Sequence, residues 1–259
     1  MPELIEVELY RRAADRVVGR TIETVSAPDP WFCKGVDPAT LVEALTGEAV
    51  TGTRRRGKLL LVDTDGPVLG LRFGMTGRLV VDGAGPIDRL EYASGRDDPA
   101  WHRFGLRFDD GGTLVVVDPR RLGGVELDPD PDRLGPDAAS VGPAALRDLL
   151  AGSRAPLKGR LLDQSRLAGV GNLICDETLW RAGLDPAREA GSLDAREVRR
   201  LHRHLRATIE DLTERGGSHT GDLQAERHRD GRCPRCGTPL DRRTVAGRTT
   251  YSCPRHQRR

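Results

Sequence analysis

The chain of 259 residues has no apolar run approaching the ~20 residues a membrane-spanning helix needs, so no such helix is expected. Its start, MPELIEVELY, lacks the basic flank and apolar core of a secretory leader. A cytoplasmic location and no membrane partner follow as expectations. Lysine is scarce: of 41 basic residues only Lys34, Lys58 and Lys158 are lysines, and the remainder are arginines. That bias fits a GC-rich genome, and it singles out each lysine. The five cysteines, at 33, 175, 233, 236 and 253, are odd in number. Without a leader they do not read as a disulfide framework.

Net charge is +2, but it is unevenly placed. From Gln224 to Arg259 there are ten arginines and three acids, a local +7, which leaves −5 for the rest. A basic tail on a near-neutral body is an electrostatic footprint for polyanions, and it also suits a solubilising end.

Glu3 to Val18 carries a helical apolar stripe closed by Gly19. Strands are predicted over Thr21–Ala27, Lys58–Asp63, Val68–Phe73, Arg78–Asp82, Arg103–Phe108 and Thr113–Asp118, separated by Asp/Gly/Pro turns. Short strands at that spacing suggest an antiparallel sandwich or barrel. Leu127–Pro143, rich in Pro, Asp and Gly, reads as a linker. Helices are predicted over Ala144–Leu150, Asn172–Ala182 and Leu193–Arg215. The expected fold is α+β and multidomain. An N-terminal helix and antiparallel β-sandwich span 1–130, a helical domain spans 131–222, and a C-terminal Cys-rich ribbon spans 223–259.

Cys233-Pro-Arg-Cys236 and Cys253-Pro-Arg-His256 are two ligand pairs spaced i, i+3, bracketing a predicted hairpin over Thr244–Tyr251. That is zinc-ribbon spacing. Four protein ligands close a tetrahedron, so one structural Zn²⁺ is expected. Arg242, Arg243, Arg248, Arg255, Arg258 and Arg259 decorate the ribbon and suit phosphate contacts. At the other end, removal of Met1 would expose Pro2 as a secondary amine titrating near ~8. Such an amine can attack a carbon at the aldehyde oxidation level and form an iminium. Glu3 and Glu6 lie within one turn and could move a proton. Taken alone, proline followed by acids is better explained as ordinary helix capping.

Among the remaining residues, Cys33 and Cys175 read as small buried thiols. Trp31, Trp101 and Trp180 read as core or interdomain packing residues rather than base-stacking platforms. Lys158, near a helix start, reads as facing solvent or phosphate. Glu177 reads equally as a site carboxylate or as a cap or ion-pair partner.

Pro2-Glu3-Leu4-Ile5-Glu6-Val7-Glu8 resembles the N-terminal signature of the formamidopyrimidine-DNA glycosylase/endonuclease VIII family, with Ile5 in place of a second proline. Further stretches resemble that family in order. They are Arg55-Arg56-Gly57-Lys58, Phe73-Gly74-Met75-Thr76-Gly77, Asp118-Pro119-Arg120-Arg121-Leu122-Gly123, Leu134-Gly135-Pro136-Asp137, the helix-two-turn-helix run from Leu161 to Glu177, and the zinc ribbon. The resemblance implies a base-excision-repair glycosylase with AP lyase activity. Its substrate would be double-stranded damaged DNA, and it would act as a monomer. Pro2 would be the nucleophile at C1′, Glu3 the general acid, Glu6 its support, and Lys58 a phosphate ligand beside the lesion. Asn172 and Arg248 would grip backbone phosphates. Met75, Arg120 and Leu122 would fill the gap left by a flipped nucleotide. Leu122 stands where the family usually has Phe, and His256 where it usually has Cys. The stretch between Gly217 and Cys233 is short for the branch that excises 8-oxoguanine, so oxidised pyrimidines, ring-opened purines or bulkier adducts are favoured. The rival readings are a non-catalytic damaged-DNA-binding protein of the same fold and a zinc-ribbon transcription factor. The second leaves the N-terminal signature unused.

Overall fold

In the computed structural model, residues 2–87, 90 and 98–257 are described; Met1, Arg258 and Arg259 lie outside them. Two compact units partition the chain, one formed by Pro2 with Glu6–Pro131 and the other by Glu3–Ile5 with Asp132 onward.

The first unit begins with most of helix α1 (Leu4–Ala14), which passes into a single 3₁₀ turn at Asp15–Val17. The expected helix to Val18 therefore stops one turn early. Two four-stranded antiparallel sheets follow. One runs in the order β1 (Ile22–Ser26), β6 (His102–Phe108), β7 (Thr113–Val117), β5 (Arg78–Val81). The other runs β2 (Val50–Arg56), β3 (Leu59–Thr64), β4 (Leu69–Arg72), β8 (Gly124–Leu127). Both give alternate side chains to one core, including Ile22, Phe104, Leu106 and Leu114 from the first and Leu60, Val62, Leu69 and Leu71 from the second. Val7, Tyr10 and Ala14 of α1 and Leu41 and Leu45 of helix α2 (Pro38–Leu45) close it.

Among the described residues of the first unit, one α-helix and two strands were not expected. Helix α2 carries a clear start signal, Asp37 accepting from the backbone of Ala39 and Thr40 with Pro38 at the first helical position. Strand β2 reads VTGTRRR and shows no apolar alternation. It exists because β3 supplies its partner, register by register, from Arg56↔Leu59 back toward Val50↔Thr64. Strand β8 reads GVEL, and its glycine and glutamate leave no apolar run to mark it.

The second unit contains α3 (Pro143–Leu150), α4 (Leu157–Leu162), α5 (Asn172–Ala182), α6 (Ala195–Glu214) and the hairpin of β9 (Asp241–Val245) and β10 (Arg248–Ser252). Helix α6 starts in a capping box between Asp194 and Glu197 and buries Val198, Leu201, Leu205, Ile209 and Leu212 on one stripe. Nine of the eleven residues of α5 are buried, so it is the central helix of this unit.

Two expectations fail here. Trp31 is 68% exposed, because its neighbour Phe32 takes the inward position in the turn at 30–32. Lys158 faces neither solvent nor phosphate; it is fully buried. Cys33 and Cys175 are buried as expected, and burial pushes the Cys175 thiol well above its ordinary range.

Asp29 is buried and takes a two-pronged ion pair from Arg121 at 2.6 Å on each oxygen, with Arg103 at 3.6 Å. The Arg121 guanidinium first, then Arg103, holds its carboxyl below the usual range. A depressed folded value contributes stability above the unfolded value near ~4 and loses it as pH falls through the folded value. Asp29→Asn should therefore lower the thermal midpoint at pH 7. The gap to the wild type should close as the pH falls below the unfolded value near ~4. Melts recorded by circular dichroism at three pH values test this, and a gap independent of pH would refute it.

Candidate active site and metal centre

In the first unit, the Met75 loop and the Arg120–Leu122 loop are joined by Asp118. This carboxylate is fully buried. It accepts the Thr76 hydroxyl at 2.6 Å, the backbone N–H of Arg120 at 3.1 Å, that of Leu122 at 2.9 Å and that of Gly123 at 2.8 Å. A glycine makes the approach possible. Gly74 has φ 55°, and a Cβ there would lie 2.4 Å from the backbone carbon of Leu122. Tyr10 supports the loop from below, donating its hydroxyl to the Gly77 carbonyl at 3.2 Å and packing its ring on Phe73. Burial first, then the nearby Glu6 charge, raises the Tyr10 phenol far above its usual range. On this frame Met75 is half-buried, Arg120 is exposed, and Leu122 is 50% exposed. Arg121 sits at φ 56°, an unfavourable conformation that its ion pair with Asp29 secures.

Pro2 and Glu6 are both buried. Lys58 is half-buried in the two-residue turn between β2 and β3, where Gly57 (φ 57°) takes the position that demands positive φ.

In the second unit Glu3 is fully buried and caps α5. Its carboxylate accepts backbone N–H groups of Gly171 at 2.9 Å, Leu173 at 2.8 Å and Ile174 at 3.1 Å. These are the orphan donors of a helix start, where the backbone dipoles favour negative charge. Gly171 is required: a Cβ would lie 2.2 Å from the Glu3 carboxyl carbon. Asn172, next along, donates its side-chain amide to the Thr249 carbonyl at 3.2 Å. Thr249 adjoins Arg248, exposed at the start of β10 just after the Ala246-Gly247 turn, in which both residues have positive φ. Glu3, Asn172 and Arg248 are thus brought into one neighbourhood.

A buried ion-pair cluster lies behind that neighbourhood, and sequence reasoning missed it. Lys158 donates to Asp176 at 2.6 Å, to the Thr250 hydroxyl at 2.8 Å and to the Thr249 carbonyl at 3.3 Å. Arg227 binds the second oxygen of Asp176. The scarcity of lysine was the available signal. Glu177 is resolved as an anchor: it pairs with Arg181 and accepts the backbone N–H groups of Asp222 and Leu223. The short stretch after Gly217 is two 3₁₀ turns, Ser218–Thr220 and Gln224–Glu226.

Cys233, Cys236, Cys253 and His256 present ligand atoms all within 4.8 Å of one another and could hold a metal ion. Cys233 Sγ lies 3.6 Å from His256 Nδ1, and Cys236 Sγ lies 3.6 Å from Cys253 Sγ. Contact with Thr238 pulls the Cys236 thiol down to about 6, while burial raises Cys253 to about 11. Trp180 donates its indole N–H toward Cys233 Sγ at 3.4 Å. His256 Nε2 is buried and makes no hydrogen bond within the protein.

Two antiparallel sheets around one core, a helical unit whose central helix is capped by Glu3, and a ribbon with a four-residue candidate metal site make a multidomain α+β protein. Residues 1–125 match the formamidopyrimidine-DNA glycosylase N-terminal domain, and residues 131–223 match the helix-two-turn-helix domain of the same enzymes. Formamidopyrimidine-DNA glycosylase of Geobacillus kaustophilus is 38% identical, with 100% of each chain covered. That of Thermus thermophilus is 38% identical, covering 98% of this chain and 97% of its own. A solved complex of Lactococcus lactis Fpg with an abasic-analogue (THF) DNA and an inhibitor superposes at a TM-score of 0.84, with 29% identity and 100% of both chains covered. Another, with DNA containing Fapy-dG, gives 0.83 at 28% identity, covering 99% of this chain and 100% of that one. The chain belongs to the formamidopyrimidine-DNA glycosylase family.

Gly171→Ala is expected to drive Glu3 off the start of α5. It should destabilise the fold by the loss of a helix cap, about 1–2 kcal/mol, and so lower the thermal midpoint, whereas Gly85→Ala, where a Cβ would meet nothing closer than 3.6 Å, should stay near the wild type. Equal effects from the two substitutions would contradict the Glu3–α5 geometry.

Proposed function

We propose that this chain is a bifunctional DNA glycosylase and AP lyase of base-excision repair, with Pro2 as its nucleophile. The observation that carries the reading is the Glu3 carboxylate, fully buried and fixed by three backbone N–H groups one residue from Pro2. Such fixation supplies a preorganised charge beside the attacking amine.

A base inside a duplex is out of reach, so the damaged nucleotide is flipped out and its stacking replaced. Met75, Arg120 and Leu122 fill that gap. The two loops on which they sit are tied at Asp118, so they enter as one element. Lys58 in the first unit, and Asn172 and Arg248 in the second, hold backbone phosphates. With Met1 removed, the Pro2 nitrogen is a secondary amine, a usable part of it neutral at pH 7. Its lone pair attacks C1′ as the glycosidic bond breaks. The base leaves with its bonding electrons and takes up a proton. The Glu3 carboxylate takes the proton that the attacking Pro2 nitrogen releases and passes it to the ring oxygen as the sugar opens, and Glu6 supports the same end of the helix. The resulting iminium acidifies the C2′ hydrogen. Loss of that proton expels the 3′ phosphate, and a second elimination expels the 5′ phosphate. Oxidised or ring-opened bases are the substrates this reading favours, on double-stranded DNA, with one chain per lesion.

The ribbon takes one structural Zn²⁺ through Cys233, Cys236, Cys253 and His256 Nδ1. Zinc bonds of about 2.3 Å to sulfur and 2.0–2.1 Å to nitrogen set tetrahedral edges of about 3.8 Å (S–S) and 3.6 Å (S–N). The 3.6 Å edges of this site fit that ion. With four protein ligands the ion supports the hairpin that presents Arg248 and leaves the chemistry to the chain end.

Borohydride should trap a covalent adduct with abasic-site duplex in the wild type and little or none in Pro2→Gly. No wild-type adduct, with Met1 shown by mass spectrometry to be absent and binding intact, would move the protein to the non-catalytic, damage-binding class. Cys253→Ser should reduce bound zinc below one per chain and weaken duplex binding in step. Full zinc occupancy in that variant would remove Cys253 from the ligand set.

A further inference from the structure

We propose that Trp31 and Lys34 form a second DNA-contacting element beside the Leu122 wedge. The Trp31 indole stacks on a nucleobase bordering the gap, and Lys34 pairs with a neighbouring phosphate. The proposal rests on the reading of the chain as a glycosylase of damaged duplex DNA.

Among the described residues three large apolar side chains are exposed: Val18, Leu122 at 50% and Trp31 at 68%. Two of the three, Trp31 and Leu122, lie on segments bonded to each other. The Asp29 carboxylate binds Arg121 on one side of Leu122. On the other side, a Cβ at Gly123 would lie 3.0 Å from the Phe32 ring. Phe32 and Lys34 then pair with the backbone of Val125, at 2.9 Å and 2.7 Å. The segment from Asp29 to Lys34 therefore runs bonded along Arg121–Val125. Trp31 and Leu122 fall between the same two tie points.

The segment is also held still. Asp29 Oδ1 accepts the Trp31 backbone N–H at 3.1 Å, and the Trp31 carbonyl accepts Lys34 Nζ at 2.6 Å. The same ammonium lies 5.0 Å from the centre of the Trp31 ring. One indole face is thus backed by a cation, and the side chain is largely in solvent. An ordered aromatic with an adjacent cation is what single-stranded or unstacked nucleic acid selects: every base offers a π-face, and the cation meets the phosphate. A flipped nucleotide leaves such unstacked base faces at the borders of its gap. The exposed Arg120 extends the positive charge of these segments.

The test uses the full chain and a duplex carrying a tetrahydrofuran abasic analogue, beside the undamaged duplex. Trp31→Ala should weaken binding of the analogue duplex by about five- to a hundredfold, the range of one lost base-stacking contact. Trp31→Phe should recover most of it. Lys34→Ala should lower the slope of affinity against salt by about one phosphate contact. Wild-type tryptophan emission should change on binding, and the change should shrink in Trp31→Ala. Trp31→Ala binding within twofold of the wild type, or Trp31→Phe no better than Trp31→Ala, would overturn the proposal. Borohydride trapping on an abasic-site duplex, run in parallel, separates the two readings. A wild-type adduct with an indifferent Trp31→Ala removes only this contact. A wild type with neither adduct nor preference for the analogue duplex removes the glycosylase reading and this proposal with it.

Discussion

A carboxylate at a helix start organises the second unit. Glu3 takes three N–H groups that α5 cannot satisfy internally, at positions where the helix dipole favours its charge. The consequence runs both ways. Helix α5 gains the cap that its own sequence does not supply, since neither Gly171 nor a side chain of its first turn provides one. Glu3, in turn, is held in a single position far more firmly than a residue near a chain end usually is. Leu4 and Ile5 add apolar burial in the same core, so the head of the chain is fastened by packing as well as by hydrogen bonds.

The first unit solves a similar problem with Asp118 and Asp29. A loop that must offer Leu122 to solvent cannot be held by burying Leu122. Its rigidity comes from the backbone instead. Asp118 collects three loop N–H groups and the Thr76 hydroxyl, and Asp29 clamps Arg121 in a left-handed conformation. Each buried carboxylate is fully paired, which is the condition under which burying it is tolerable. The apolar side chains left outside are then presented on a stiff frame, and stiffness lowers the entropic cost of any contact they make.

Behind Asn172 and Arg248, the Lys158–Asp176–Arg227 cluster ties α4, α5 and the stretch before the ribbon to β10. Breaking one partner of such a cluster strands a charge, so it specifies geometry more than it adds stability. Thr249 is where the pieces meet: its carbonyl takes both Lys158 and Asn172, and its neighbour is Arg248. The four-ligand ribbon supports the same hairpin from the other end.

Much of this was legible in the residues. The i, i+3 pairs of Cys233/Cys236 and Cys253/His256 announced a ligand cluster, because knuckle spacing has few other uses. The apolar runs KLLLVD and TLVVVD announced buried strands, and the Leu201–Leu205–Ile209–Leu212 stripe announced α6. These signals are local, and local periodicity survives in a sequence. What the sequence could not decide is pairing between distant positions. Strand β2, with its three arginines, is a strand only because β3 lies beside it. Lys158 looked like a surface lysine until Asp176 and Thr250 closed around it, and Trp31 looked like a core residue until Phe32 took the inward place. Burial and partnership are set by elements far apart in the chain. They were therefore settled only when tertiary packing chose which faces met and which charges were left to neutralise one another.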